Sequence, residues 1–210
     1  MALKLTWLNH ASFRLEGQQR VYLDPWKLAA GSVPADVIIV SHSHYDHCSR
    51  PDVAAIRGPE TVVLAAADAA AQLGEGVRQI GPGQRHEVGD LVVETVPAYN
   101  VTEKFHPKEN GWVGVVLETQ GQRIYYAGDT DQIPEMAELG RIDVALLPVG
   151  GTYTMDAAQA AAACEVIRPK QAVPYHWGDI VGSGEDARAF AERAGCAVTV
   201  LQPGESLTLG

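Results

Sequence analysis

The chain reads as α/β, and the order of its elements fits a four-layer αββα sandwich of two central mixed sheets flanked by helices. Three observations support this. Continuous apolar runs such as Val37-Ile38-Ile39-Val40 and Val144-Ala145-Leu146-Leu147 mark strands buried on both faces. Looser alternation broken by Gly89-Asp90 and Gly121-Gln122 marks hairpins. Strands give way to helices in each half, a hint of a pseudo-repeat of layered units.

Leu3 to Leu8 and Ser12 to Leu15 read as strands. Gly17-Gln18-Gln19 then turns the chain into Arg20-Val21-Tyr22-Leu23, which ends at Asp24-Pro25. Val37 to Val40 leads into a histidine-rich segment, and Pro51 to Ile56 fits a short helix with proline in its first turn. Thr61 to Leu64 is a buried strand, and Ala65 to Leu73 an alanine-rich helix stopped by Gly74. Gln84 to Val96 and Trp112 to Tyr126 form two hairpins. Beyond them, helices are expected at Ile133 to Leu139, Met155 to Ile167 and Glu185 to Ala194. They alternate with strands at Val144 to Leu147, Ala172 to Pro174, Ala197 to Leu201 and Ser206 to Leu209. No linker interrupts this order, so one domain over residues 1–210 is expected.

A hydrophobic fraction of 46% and a charged fraction of 20% are those of a globular chain. The net charge of -10 argues against a nucleic-acid groove, which needs a basic face. No apolar run reaches membrane-spanning length, and the N-terminus lacks the regions of a signal peptide. The three cysteines, Cys48, Cys164 and Cys196, make no disulfide framework and suit a cytoplasmic protein.

The segment His42-Ser43-His44-Tyr45-Asp46-His47 is dense in potential metal ligands. Histidine nitrogen and aspartate oxygen both coordinate zinc. Just past a strand end, His42 and His44 can point toward one metal, with Asp46 and His47, further round the turn, pointing toward a second. Strand ends of α/β sheets are where ligands collect, and Ser41 and Ser43 let the loop bend. The bland alternative is a solvated histidine-rich loop, but such loops rarely follow a buried strand or carry a carboxylate in register.

Val40 to His47 resembles the H-x-H-x-D-H motif of the metallo-β-lactamase superfamily, and the resemblance covers most of the chain. Trp7-Leu8-Asn9-His10-Ala11-Ser12, followed by Leu23-Asp24-Pro25, resembles the start of the branch that includes the ascorbate-6-phosphate lactonases. Ala127-Gly128-Asp129-Thr130 resembles the strand-end aspartate motif, and Pro174-Tyr175-His176-Trp177 the late histidine. The resemblance implies the four-layer fold, with His42 and His44 on a first metal, Asp46, His47 and His176 on a second, and Asp129 bridging both. Family members usually place the remaining first-metal histidine in a loop after a middle strand. That segment here reads Pro97-Ala98-Tyr99-Asn100, so His106 is favoured, and His86 is expected at the surface. Two divalent metal ions per chain are implied, zinc first, with manganese or iron also compatible. Self-association fits that branch, which leaves a homo-oligomer open.

The implied activity is metal-dependent hydrolysis by a hydroxide shared between two metals, since metal binding lowers the pKa of water toward ~7. Asp129 would hold the pair together and Asp46 would orient the hydroxide or take its proton, so both are candidate catalytic residues. No G-x-S-x-G segment offers a covalent route. A lactone or other carboxylic ester of a small metabolite ranks ahead of a phosphodiester, although fold alone does not choose between them. A non-catalytic metal-binding protein on the same fold is the alternative of another class, and the complete ligand set argues against it. Arg50, Lys27, Lys104 and Lys108 lie near the metal segments in sequence and would hold a substrate anion if they face the pocket. Trp112, Trp177, Tyr99 and Tyr153 either wall that pocket or pack the core. His10 lines the pocket or is structural. Asp24 orients a ligand histidine or caps the turn before Pro25. Gly150-Gly151 brings backbone close to the pocket or merely turns the chain.

Overall fold

The apolar runs become strands of two seven-stranded sheets in a computed structural model that describes residues 2–102 and 104–210. Met1 and Glu103 lie outside the described residues. The strands are β1 (Leu3–Asn9), β2 (Ser12–Glu16), β3 (Arg20–Leu23), β4 (Ala35–Val40), β5 (Arg57–Ala66), β6 (Val77–Ile80), β7 (Arg85–Val88), β8 (Leu91–Pro97), β9 (Val113–Thr119), β10 (Gln122–Tyr126), β11 (Val144–Pro148), β12 (Gln171–Tyr175), β13 (Ala197–Val198) and β14 (Ser206–Leu209). The helices are α1 (Arg50–Ile56), α2 (Ala67–Leu73), α3 (Ala157–Ile167) and α4 (Gly184–Arg193).

The first sheet runs β14-β1-β2-β3-β4-β5-β6 and the second β13-β12-β11-β10-β9-β8-β7. Each is antiparallel at its start and parallel from its middle strand onward, β3 to β6 in the first and β10 to β13 in the second. The expected pseudo-repeat is therefore a repeat of sheet progression. One apolar cluster joins the facing sides, from Leu5 and Phe13 to Val115 and Tyr126, and continues to Ile167 of α3 and Phe190 of α4. Val53 and Ile56 of α1 and Ala69 of α2 cover the other face of the first sheet, against Ile38 and Val63. Four layers result.

Several boundaries differ from the sequence reading. Ala65 and Ala66 extend β5 instead of opening α2, because parallel pairing with β4 and β6 outweighs alanine's small helix preference. The segment expected as a helix from Ile133 is only a 3-10 turn at Pro134–Glu138. Beyond Val198 the chain leaves the sheet, although Leu201 stays buried. The edge strand β6 was not expected, since its central residues Arg78 and Gln79 are exposed and carry no apolar pattern. Among the described residues no helix is long and apolar enough to cross a membrane.

Candidate metal centre

Most candidate ligands follow the C-terminal end of a strand with a parallel neighbour. Asp24 follows β3, His42 to His47 follow β4, Asp129 follows β10 and His176 follows β12. Such ends are where α/β sheets gather ligands. His10 and His106 reach the same place from the loops after β1 and β8.

Two main groups form there, His42, His44 and His106 in one and His10, Asp46, His47 and His176 in the other, and a third set, Asp24 with His42 and His47, overlaps both; within each, the ligand atoms lie within 4.8 Å of one another. Asp129 stands between them. Its Oδ2 is 3.3 Å from His106 Nε2 and 3.1 Å from His176 Nε2, and its Oδ1 is 3.3 Å from His47 Nε2. The seven expected site residues are thus brought together, His106 included. His86 lies apart, half-buried on the edge strand β7 beside Gln84.

Three of the rings, those of His42, His47 and His106, are aimed by hydrogen-bond partners. The buried Asp24 carboxylate accepts from Ser41 N (2.7 Å), Ser41 Oγ (2.5 Å), His47 Nδ1 (2.7 Å) and the Tyr126 hydroxyl (2.6 Å). Ser41 Oγ accepts in turn from His42 Nδ1 at 2.9 Å. One carboxylate therefore orients His47 directly and His42 through a hydroxyl, which settles the role of Asp24. His106 Nδ1 donates to Asn100 Oδ1 at 2.9 Å, and the Asn100 amide donates to Asp131 Oδ1 at 2.8 Å and Tyr153 O at 2.9 Å. With Nδ1 engaged, Nε2 is the atom left to coordinate. Nε2 of His42, His47, His106 and His176, and Oδ1 of Asp129, are buried without a hydrogen-bond partner. Unpaired buried polar atoms cost about 1–3 kcal/mol each. Divalent cations would satisfy them together, and nitrogen and carboxylate donors suit zinc, manganese and iron.

Electrostatics point the same way. Burial, reinforced by His47, holds His42 well below the usual histidine range, and burial with His106 lowers His44, so both stay neutral. Burial acts to lower His47 too, but the Asp129 and Asp24 carboxylates hold it well above the usual range. Burial would raise Asp129, yet His176 and His47 keep it well below the usual carboxylate range. A cation between His47 and Asp129 would replace the proton they otherwise hold.

A family model described as the beta-lactamase superfamily domain matches residues 4–176. The chain belongs to this superfamily. A UPF0173 metal-dependent hydrolase from Pyrococcus furiosus is 34% identical over 224 residues, spanning 99% of this chain and 100% of its own length. Another, from Nitratidesulfovibrio vulgaris, is 32% identical over 230 residues, spanning 100% of this chain and 96% of its own length. The chain is thus a member of the UPF0173 family of metal-dependent hydrolases. A crystal structure of a Parabacteroides distasonis protein matches it with a TM-score of 0.85 at 32% identity, over 97% of this chain and 94% of that one.

In this superfamily member, His10 belongs to the site. Its Nε2 is 3.1 Å from Asp46 Oδ2, its ring 4.0 Å from that of His176, and its carbonyl accepts from Trp7 Nε1 (2.9 Å) and His176 N (3.0 Å). His10, Asp24 and His176 have φ of 38°, 42° and 64°, a left-handed conformation that costs non-glycine residues about 1–2 kcal/mol each. The hydrogen bonds just named sustain it. Gly150 brings backbone against the site, since a Cβ there would lie 2.4 Å from His176 O. Cys48 stands outside both ligand groups, with its thiol pushed up to about 12 by burial and then by Asp24.

A cavity of about 240 Å³ opens onto His44, Asp46, His106 and Asp129. Of the four aromatics weighed from sequence, only Tyr153 lines it. Trp112 packs 4.8 Å from the His42 ring and donates to Asp68, Trp177 packs on Trp7, and Tyr99 bonds Glu135. None of the four basic residues lines it either. Lys27 pairs with Asp179 at 2.7 Å and Lys108 with Glu135 at 2.8 Å, while Arg50 and Lys104 are exposed. Sequence reasoning missed Ser41, Asn100 and Asp131 as orienting residues. The available signal was the place of Asn100, directly after β8 where the family histidine was sought.

Proposed function

We propose that the chain uses two divalent metals, zinc first among them, to hydrolyse a carboxylic ester or lactone of a small metabolite. The observation that carries this reading is the set of buried, unpartnered Nε2 atoms of His42, His47, His106 and His176 around Asp129, beside an open cavity. His42, His44 and His106 would hold one metal, Asp46, His47 and His176 the other, and Asp129 would touch both. Metals held there supply Lewis acidity and lower the pKa of water toward ~7.

The remaining work falls to the chain's own residues. Asp46 lines the cavity. Burial would raise its carboxyl, but the hydrogen bond from His10 and the nearby His47 together outweigh this and keep it below the usual range, so it is ionised at neutral pH. It is the group placed to accept the proton of an attacking water. His10 restrains it through Oδ2. The Ser41 and Ser43 hydroxyls are engaged by Asp24 and Asp68, and the Cys48 thiol is protonated. These side chains favour direct attack by water, with no covalent enzyme intermediate. The free cysteines fit a cytoplasmic setting.

Elemental analysis of the untagged protein beside Asp129→Ala and His176→Ala tests this reading. Two equivalents of metal per chain are expected, falling in both variants, with ester or lactone turnover lost on chelation and restored by metal. Less than one equivalent, unchanged by the substitutions, would overturn it.

A further inference from the structure

The cavity wall names the chemistry of the substrate beyond the bond that is cleaved. Its floor carries Asp46 and Asp129, and its sides are Tyr45, Phe105, Tyr153 and Ile180. The Phe105 and Tyr153 rings meet edge to face at 4.8 Å and 87°. Tyr45 is 67% exposed and Phe105 44%, and with Val101, on the same loop as Phe105, they make three of the five exposed large hydrophobics among the described residues. Scattered apolar exposure is ordinary. Exposure concentrated on the two segments around one concave site marks a surface that something apolar covers.

Charge sharpens the inference. Among the described residues no lysine or arginine lines the cavity, and the nearby Lys27 is already neutralised by Asp179, next to Ile180. A carboxylate or phosphate on the far part of a substrate would sit there unpaired, which is costly in a partly dry site. The volume, about 240 Å³, lies below the ~300–1,000 Å³ usual for ligand pockets. It suits a single ring or short chain.

We infer that the substrate carries a small, uncharged, apolar group away from its scissile bond, seated against Phe105, Tyr153, Ile180 and Tyr45. This rests on the reading of the centre as hydrolytic.

The metal-loaded protein would be assayed with the 4-nitrophenyl ester of pentanoic acid and the mono-4-nitrophenyl ester of glutaric acid, which adds a terminal carboxylate. The neutral ester is expected to have the higher kcat/KM by about tenfold or more. Phe105→Ser should shrink that preference at unchanged metal content, and Ile180→Arg should shift it toward the charged ester. Equal rates, or a preference for the charged ester, would overturn the inference. Binding of the matching anilides, followed by calorimetry, separates the two readings. If both esters are inert while the neutral anilide binds more tightly and loses that advantage in Ile180→Arg, the hydrolytic reading fails and the apolar seat stands. If the two anilides bind alike, the seat fails.

Discussion

His10 Nε2 lies 3.1 Å from Asp46 Oδ2 while the His10 ring lies 4.0 Å from that of His176. One buried histidine therefore touches two candidate ligands that leave different sheets. Replacing it by His10→Gln keeps a donor but removes the ring. Metal affinity at the Asp46, His47 and His176 set should fall about 10–100-fold, the usual effect of losing an outer partner, while the His42, His44 and His106 set keeps its affinity. Competition titration against a chelator reads the two steps separately. Two unchanged steps would mean that His10 only fills space.

Asp24 accepts four hydrogen bonds in a site closed to water. Asp24→Ala removes the acceptor of Ser41 N, Ser41 Oγ and His47 Nδ1, leaving Tyr126 only the Ala11 carbonyl, and should destabilise the metal-free protein by about 3 kcal/mol or more. Tyr126→Phe removes one donor and should cost about 1 kcal/mol. Urea unfolding of the three proteins checks this order, and an equal loss in both variants would contradict the hub.

Gly150→Ala adds one methyl group 2.4 Å from the carbonyl of His176. Backbone cannot swing aside as a long side chain can, so a loss of about 1–3 kcal/mol is expected. Metal content should fall with it, because His176 is displaced. Thermal unfolding and elemental analysis on one preparation would show both.

Asp143, just before β11, is buried, forms an ion pair with Lys170 Nζ and accepts from Arg123 N, both at 2.8 Å. Burial would raise its carboxyl, but Lys170, the Arg123 amide and Arg141 outweigh this and lower it. The unfolded chain thus takes up this proton first as pH falls. The contribution is complete above the unfolded carboxylate pKa of about 3.9 and is lost as pH drops through the lower folded value. The stability gap between the wild type and Asp143→Asn should be widest near neutrality and close below about pH 4. A gap constant in denaturant titrations across that range would refute the assignment.

Much of the site was legible because its parts are local. His42 to His47, Asp129 and His176 each belong to a short segment attached to a strand, and apolar runs reveal strands through burial alone. His106 needed the family resemblance, since nothing in its own surroundings marks it. Asn100 and Ser41 were missed as holders of His106 and His42 because a hydrogen bond across a loop leaves no trace in residue spacing. Lys27 and Lys108 lie near the motifs in sequence, but carboxylates on other segments hold them.

By itself the sequence determined the α/β class, the strand ends that carry ligands and the type of chemistry they serve, because those depend on the periodicity of burial and on donor identity. Only the tertiary structure decided that Asp24 and His10 orient ligands, that Gly150 presses on His176, and that Tyr45, Phe105, Tyr153 and Ile180, with no lysine or arginine among the described residues, stand beside the ligands in the cavity wall. These facts require two sheets from distant parts of the chain to pack face to face. The direction a side chain takes across that junction is set by long-range packing, which no local pattern encodes.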